Sequence, residues 1–297
     1  MTLRHRILWA LSAVVLALAL PNPLFAQKSG QKTTTKTTQQ RVVPKLFLFD
    51  NVDPFSSLCV ARRINAEVAM LTDHTQLPSD VASFIQKSKR ATQRIQSGKP
   101  LCIVRAEPTV AKAVVCQVDD GALSIYANPY KYQRTQRIDV YVLCDSTLRT
   151  IRGTMGSNIS TRGCLTLPQL TLVAQDKMEI HASVRTQNLN VKASNTSIVW
   201  VTGEVASLQA TVDSASFLRM CQISADNVTV SANAESRAET TANKSLTLKA
   251  TANSSITYYA PSANISTDAE SGSFIDERYI HKNIIINKDS TNVVSIK

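Results

Sequence analysis

A triplet of alternating, mostly apolar residues returns about every 19 residues between positions 170 and 269, and no other feature constrains the fold as strongly. Alternation with a period of two is typical of a strand that buries one face. A longer fixed period indicates stacked coils, each of which buries its apolar face only against its neighbours. The six triplets are Leu170-Leu172-Ala174, Leu189-Val191-Ala193, Leu208-Ala210-Val212, Val228-Val230-Ala232, Leu246-Leu248-Ala250 and Ile265-Thr267-Ala269. The sequence therefore predicts an all-β fold, a β-solenoid with coils of about 19 residues.

The first 26 residues have the organisation of a secretory signal peptide. Arg4 and Arg6 precede an apolar run over residues 7–20, and we expect cleavage after Ala26. The run is shorter than the roughly 20 residues that a membrane-spanning helix needs, so no transmembrane segment is expected in the mature chain. The sequence therefore predicts export to the periplasm, the cell surface or the extracellular space.

The region before the repeats mixes a polar segment with strands and one helix. Residues 27–45 are rich in Lys, Thr, Gln and Ser, which predicts a flexible linker. An apolar strand is expected at 46–49, and an apolar stripe with charged neighbours predicts one helix over residues 79–97. Further strands are expected at 101–105 and 113–118. This part is therefore expected to be a strand region with one inserted helix.

We expect residues 46–275 to form one solenoid domain, with the coils running from about 148 to 275. Residues 276–297 break the period. There, the apolar stretches 284–286 and 293–296 flank a polar turn, which predicts a terminal hairpin. Such a cap protects the last edge of a solenoid from pairing with another molecule.

The formal net charge of +11 is concentrated in the N-terminal part. Residues 27–100 carry 12 Lys and Arg against 5 Asp and Glu, a net +7, whereas residues 101–297 carry 19 against 17, a net +2. A basic segment attracts acidic surfaces or polysaccharides, although a solvated basic tail is the simpler interpretation. Because export is expected, nucleic acid is not expected as a partner.

Six cysteines permit up to three disulfide bridges in an oxidising compartment, and sequence alone leaves 15 pairings open. Cys102 and Cys116 lie in two expected strands joined by a short loop, which makes them the first candidate pair. The alternative is that several cysteines are small buried thiols.

No group of residues has the spacing of a catalytic or metal site. The three histidines after the signal peptide, at 74, 181 and 281, lack the partner four residues away that HExxH requires. Sugar-cleaving solenoids need paired carboxylates or an acidic calcium cluster, yet the Asp and Glu residues of the coils are scattered singly. The sequence therefore predicts no catalytic, cofactor-binding or metal-ligating residue, and a protein that is not an enzyme.

Aromatic residues suggest one candidate surface. Trp200, Tyr258 and Tyr259 are residue types that stack on sugar rings. However, Trp200 and Tyr258 share the spacing of Ile198 and Ile256, so we expect them to point inward and to pack in the core.

Three segments, together with the order of the coils, carry a family resemblance. They are Val118-Asp119-Asp120-Gly121-Ala122-Leu123-Ser124-Ile125, Arg137-Ile138-Asp139-Val140-Tyr141-Val142 and Leu148-Arg149-Thr150-Ile151-Arg152-Gly153-Thr154-Met155-Gly156-Ser157-Asn158-Ile159. With the coils at 170–269, the chain resembles the head GIN domain family of auto-transporter adhesin heads over residues 46–275. The family's Ser-Gly-Ala-Ser corner is replaced by Ser, Asn, Thr and Ala combinations, and the helix at 79–97 resembles an insertion. The resemblance implies a right-handed parallel β-solenoid, an exported protein and no catalytic residues.

Export, repeat and resemblance together predict an adhesin-like surface or envelope module that makes multivalent contacts with glycans or cell-envelope polymers. A periplasmic structural scaffold is the first alternative, and a polysaccharide-active enzyme is the second. The oligomeric state stays open at this point.

Overall fold

The computed structural model describes residues 43–128, 130, 136–261, 263–270, 272–281 and 284–287. The predicted signal peptide, most of the predicted linker and the predicted strand at 293–296 lie outside these residues. Within them, no helix combines the length and the hydrophobicity that a membrane span requires.

The region before residue 148 contains strands and short helices. They are β1 (Lys45–Phe49), β2 (Ser57–Ala61), β3 (Asn65–Met70), a 3₁₀ segment (Leu71–Gln76), α1 (Ser79–Lys87), α2 (Lys89–Gln96), β4 (Leu101–Ala106), α3 (Pro108–Ala111), β5 (Val114–Asp119), β6 (Ala122–Ala127) and β7 (Asp139–Cys144). The single helix expected over 79–97 is instead two helices, because Ser88 has an extended backbone. Its Oγ accepts a hydrogen bond from the N–H of Ala91 and so caps α2.

Among the described residues after 148, the later strands follow one another with no helix between them. They are β8 (Thr150–Thr154), β9 (Asn158–Thr161), β10 (Leu165–Thr166), β11 (Gln169–Ala174), β12 (Glu179–Ala193), β13 (Ile198–Val212), β14 (Phe217–Ala232), β15 (Arg237–Thr241), β16 (Ser245–Ala250), β17 (Ser255–Tyr259), β18 (Asn264–Ala269), β19 (Phe274–His281) and β20 (Ile284–Asn287). They wind into a β-solenoid of about seven turns with coils of roughly 19 residues, which confirms the predicted fold class.

The apolar triplets stack in register on one side of the solenoid, which we call the triplet face. Leu189 pairs with Leu170 of one neighbouring coil and with Leu208 of the other, and the second and third triplet positions pair in the same way. All three positions are buried from β11 to β16. The other side, the second face, consists of β7, β3, β9, the first halves of β12, β13 and β14, and then β15, β17 and β19.

A repeated corner joins the two faces. Two successive residues with positive φ turn the chain, and the turns stack on one another through backbone hydrogen bonds such as Lys177 N–H to Asn195 O at 3.0 Å. A buried serine follows each of the later turns, at Ser197, Ser216, Ser236 and Ser254. The backbone N–H of each serine donates to the Oγ of the serine one coil further on, at 3.1 to 3.3 Å. This serine ladder fulfils the hydrogen-bonding needs of polar groups that no water reaches.

Two further coils come from sequence outside the repeat. The coil of β2 and β3 lies between the coil of β6 and β7 and that of β8 and β9, with parallel pairing on both sides. Beyond it, β5 pairs antiparallel with β6, β4 pairs antiparallel with β7, and β1 pairs antiparallel with β4. These antiparallel strands protect that end of the solenoid from further parallel addition.

The C-terminal end of the described residues contains a hairpin. Residues 284–287 pair antiparallel with 278–281, so β20 pairs with β19, and the segment 293–296 of the expected hairpin lies outside the residues that the structure describes. The parallel pairing of β19 with β17 ends at Glu277, which leaves the remainder of β19 available to β20.

Candidate functional site

Outward side chains of the second face line up in two columns along the solenoid, because its parallel strands are in register. The first column contains Asn158, Glu179, Ile198, Phe217, Arg237 and Ser255. The second column contains Ser160, His181, Trp200, Arg219, Glu239 and Thr257. We call the central four coils of both columns the Trp200 face; its residues are Glu179, His181, Ile198, Trp200, Phe217, Arg219, Arg237 and Glu239.

The expectation that Trp200 packs inward is wrong. Val199 and Val201, on either side of Trp200 in β13, are buried, so Trp200 points outward and is 39% exposed. Ile256 is aligned with Val199 in the stack, and Trp200 is therefore aligned with Thr257. Tyr258 does pack against the core, as expected, and it lies three strands away from Trp200. These aromatic residues therefore do not form one sugar platform.

Neighbouring side chains hold the Trp200 ring from both sides. The His181 ring meets it edge-on with 4.5 Å between ring centroids, and the Arg219 guanidinium lies 5.7 Å from its centroid. These are the preferred geometries of an aromatic pair and of a cation on a π face. The His181 Nε2 is 2.6 Å from a Glu179 carboxylate oxygen, and Glu239 lies 3.4 Å from the Arg219 guanidinium. The face is thus a fixed ladder of charged and aromatic groups.

An irregularity in β14 lies directly beside Trp200. Trp200 pairs with Arg219 but Thr202 pairs with Gln222, so β14 holds one extra residue and presents Cys221 next to the Trp200 face. A depression of about 210 Å³ opens there. A hydrogen bond to the Cys221 side chain raises the pKa of the Arg219 guanidinium, and electrostatic attraction from Cys221 and Glu239 adds to this shift. Bulges of this kind often redirect side chains at binding surfaces.

Gly203 lets the backbone pass close to the neighbouring coil at this point. Its φ is +119°, and a Cβ at this position would lie 1.9 Å from the carbonyl oxygen of Val184. Only glycine meets both conditions. The coil that carries Trp200 therefore depends on this one residue.

The exterior of the triplet face is polar and repetitive. Thr171, Asn190 and Gln209 occupy equivalent outward positions on consecutive coils and line a shallow groove of about 410 Å³. Charged side chains elsewhere pair between coils, as Lys244 does with Asp226 at 2.8 Å. The surface therefore offers a hydroxyl or an amide group at intervals of about 4.8 Å, the spacing of neighbouring strands.

A second cluster of charges fastens α1 to the strands beneath it. Arg105 contacts Asp80 of α1 at 2.9 Å and Asp139 of β7 at 3.4 Å. It also donates a hydrogen bond to the Tyr141 hydroxyl. Burial raises the pKa of Tyr141 to about 12, although the nearby Arg105 charge opposes this shift. Because these groups satisfy one another, we assign them a structural role.

The structure brings the candidate cysteine pair together. The Sγ atoms of Cys102 and Cys116 are 3.5 Å apart, although both side chains are thiols here. The hydrogen bond to Cys116 and the burial of Cys102 raise the pKa of the Cys102 thiol. In the part of the chain that the structure describes, no three His, Cys, Asp or Glu side chains are placed to hold a metal ion.

Comparisons with known proteins agree on the fold. The family model described as "Putative auto-transporter adhesin, head GIN domain" matches residues 91–261. A crystal structure of a putative adhesin from Bacteroides fragilis is 14% identical, with a TM-score of 0.63, and the match covers 79% of this chain and 96% of that one. A putative adhesin from Parabacteroides merdae is 10% identical, with a TM-score of 0.57 and coverage of 80% and 97%. A putative lipid binding protein from Parabacteroides distasonis is 12% identical, with a TM-score of 0.56 and the same coverage. No curated protein matches the sequence.

Proposed function

This chain belongs to the head GIN domain family of putative auto-transporter adhesins, and from that premise we propose that it is an exported, non-enzymatic module that binds glycans or other cell-envelope polymers. The observation that carries the proposal is the polar groove along the triplet face. Its Thr, Asn and Gln side chains repeat once per coil, and a polymer with repeating hydroxyl groups can contact several coils at once. Each contact is weak, and the affinity comes from their number.

Binding to isolated envelope polysaccharide tests this proposal. We expect the purified protein to bind long chains much more tightly than short oligomers of the same sugar, because only long chains reach several coils. The double variant Asn190→Ala, Gln209→Ala should weaken that binding, whereas the matched variant Gln222→Ala, Asn243→Ala, which removes two exposed amides outside this groove, should leave it unchanged. Equal affinity for long and short chains would contradict a multivalent mechanism.

A periplasmic scaffold is the second candidate, and the exposure of β18 favours it. All six residues of this strand are exposed, including the inward-pointing Ile265 at 42%. An open strand can pair with the end of another solenoid. Protease accessibility on intact and on opened cells separates the two functions. Digestion on intact cells supports a surface adhesin, whereas protection until the envelope is opened supports the scaffold.

A further inference from the structure

We propose that the Trp200 face is the interface at which two copies of this chain pair face to face, related by a two-fold axis that runs parallel to the strands between β13 and β14. This inference does not depend on the proposed glycan binding. It rests on the order in which apolar and charged residues occur along the two columns of this face.

The centre of the Trp200 face is apolar, whereas the coils directly beyond its two ends are polar, and apolar character returns only at Phe274, one coil further on. Ile198, Trp200 and Phe217 all point outward, and each is partly exposed. In the flanking coils the same columns hold Ser, Thr and Asn residues. A cluster of large apolar side chains with a charged rim is typical of a protein interface.

The charges around this centre are self-complementary. A two-fold axis parallel to the strands reverses the order of the coils but keeps each residue in its own column. Acidic and basic residues then meet across the axis, and the apolar residues meet at its centre. The resulting pairs between the two copies are Glu179 with Arg237, Ile198 with Phe217, His181 with Glu239, and Trp200 with Arg219.

The complementarity has a definite extent. One coil further out on each side, Asn158 meets Ser255 and Ser160 meets Thr257, which are compatible polar pairs. The next step would bring Glu67 opposite Asp276, two carboxylates, so the matching surface spans six coils.

An axis parallel to the solenoid satisfies the charges less well. It would place Arg237 opposite Glu239, whose carboxylate is only 18% exposed and already lies 3.4 Å from both Arg219 and Arg278. For the same reason the His181–Glu239 contact of the proposed arrangement adds little, and the pair of Glu179 with Arg237 distinguishes the two axes. With the axis parallel to the strands, the exposed Arg237 instead meets Glu179, which is 42% exposed and bonded to His181. The axis parallel to the strands therefore gives Arg237 a carboxylate that is accessible.

The size of the face sets the expected affinity. Six strands and two columns cover about 25 Å by about 15 Å. This is roughly half of the area of about 800 Å² per partner that is typical of stable complexes, so we expect a dimer with a dissociation constant in the micromolar range.

Sedimentation analysis over a concentration series tests the arrangement by charge reversal. The wild-type protein should pass from monomer to dimer as its concentration rises. Glu179→Arg alone and Arg237→Glu alone should each weaken the dimer at least about tenfold, because each change creates two like-charged pairs across the axis. The double variant Glu179→Arg, Arg237→Glu should regain wild-type affinity to within about threefold, because the pairs are restored with reversed polarity.

These variants have a matched control and clear contrary outcomes. Lys192→Glu reverses an exposed charge on the triplet face and should leave the dimer unchanged. Residues 179 and 237 are three coils apart in one chain, so restoration cannot come from a contact within that chain. A protein that stays monomeric at all concentrations would overturn the proposal. Failure of the double variant, with circular dichroism showing that it is folded, would overturn it as well.

Discussion

The same kind of ion pair joins neighbouring coils in both parts of the molecule, but over very different distances in sequence. In the repeat region, Arg185 pairs with Glu204 at 3.0 Å across a separation of 19 residues. Near the N-terminal end, Arg162 pairs with Glu67 at 2.7 Å across 95 residues. Regular repetition makes the coil contacts local, whereas the first coils require distant segments to meet. The repeat region should therefore depend on its periodic positions, and the N-terminal region on particular long-range contacts.

The largest expected effect lies where the repeat region departs from its own period. Gly203→Ala would place a Cβ against the fixed backbone of Val184 and would hold a non-glycine residue at a φ of +119°. We expect the free energy of unfolding to fall by about 3–5 kcal/mol in chemical denaturation.

Gly98→Ala is the matched control for that variant. Gly98 also has a positive φ, of +67°, but no atom lies within 4 Å of the position that a Cβ would occupy, so only the backbone strain of about 1 kcal/mol should appear. If both glycine variants lost the same free energy of unfolding, the close approach of the backbones at Gly203 would not contribute to the loss.

In the N-terminal region the largest expected effect on stability comes from a disulfide bond. We expect Cys102 and Cys116 to form a disulfide when the protein is treated with oxidised glutathione, which accepts the two electrons and two protons. The bridge would close a loop of 14 residues and stabilise the fold by about 3 kcal/mol. Mass spectrometry of unreduced peptides detects the bond, and denaturation of the Cys102→Ser, Cys116→Ser variant measures its effect.

A change at Cys59 serves as the control for the disulfide. Cys59→Ser removes a half-buried thiol that lies near the Ser57 hydroxyl, and it should not alter the difference between oxidised and reduced protein. Alkylation of both Cys102 and Cys116 after oxidation would show that no bond forms.

How far sequence determines these features differs between the two faces of a coil. The triplets predicted the register of the triplet face because apolar and polar residues alternate cleanly there. At residues 198–201 four apolar residues are consecutive, so alternation cannot show which pair points inward. The position of the corner shows which pair points inward. The buried Ser197 is the last residue of the corner, and Val199 and Val201, two and four residues later, are also buried. Aligning the four corner serines would have placed Trp200 outside.

The sequence did not predict the N-terminal coils, and the reason is different from the one at Trp200. The coil of β2 and β3 obtains both of its neighbours from segments that follow residue 121, and no repeat marks it in the sequence. The break between α1 and α2 depends on one serine within an otherwise helical pattern. The sequence did indicate Cys102 and Cys116 as the first candidate pair, but their 3.5 Å approach joins strands that do not pair with each other, which the short loop between them did not predict. Contacts of this kind depend on the tertiary arrangement more than on local pattern.

Gly153 and Met178 compensate for each other's size, and a change at either residue should reduce stability less than the loss of Gly203 or of the disulfide. Met178 occupies the corner position that serine holds in the later coils, and Gly153 makes room for it: a Cβ on Gly153 would lie 2.1 Å from the Met178 Cε. Gly153→Ala should therefore cost about 1–3 kcal/mol through overpacking. The double variant Gly153→Ala, Met178→Ser restores the usual corner and should recover most of that loss. Additive losses in a double-mutant cycle would contradict this compensation.

The smallest expected effect concerns the serine ladder, which the coil of β2 and β3 does not share because Ile64 follows its corner. Ser216→Ala removes the Oγ that accepts the backbone N–H of Ser197 at 3.1 Å and leaves that buried donor unpaired. We expect a loss of about 1–2 kcal/mol in chemical denaturation, the usual cost of such a donor. Ser231→Ala, on the outside of the triplet face, should change stability by less than about 0.5 kcal/mol. If the two variants were equal, packing alone would stabilise the corner, and the repeat region would differ from the N-terminal coils only in its apolar triplets.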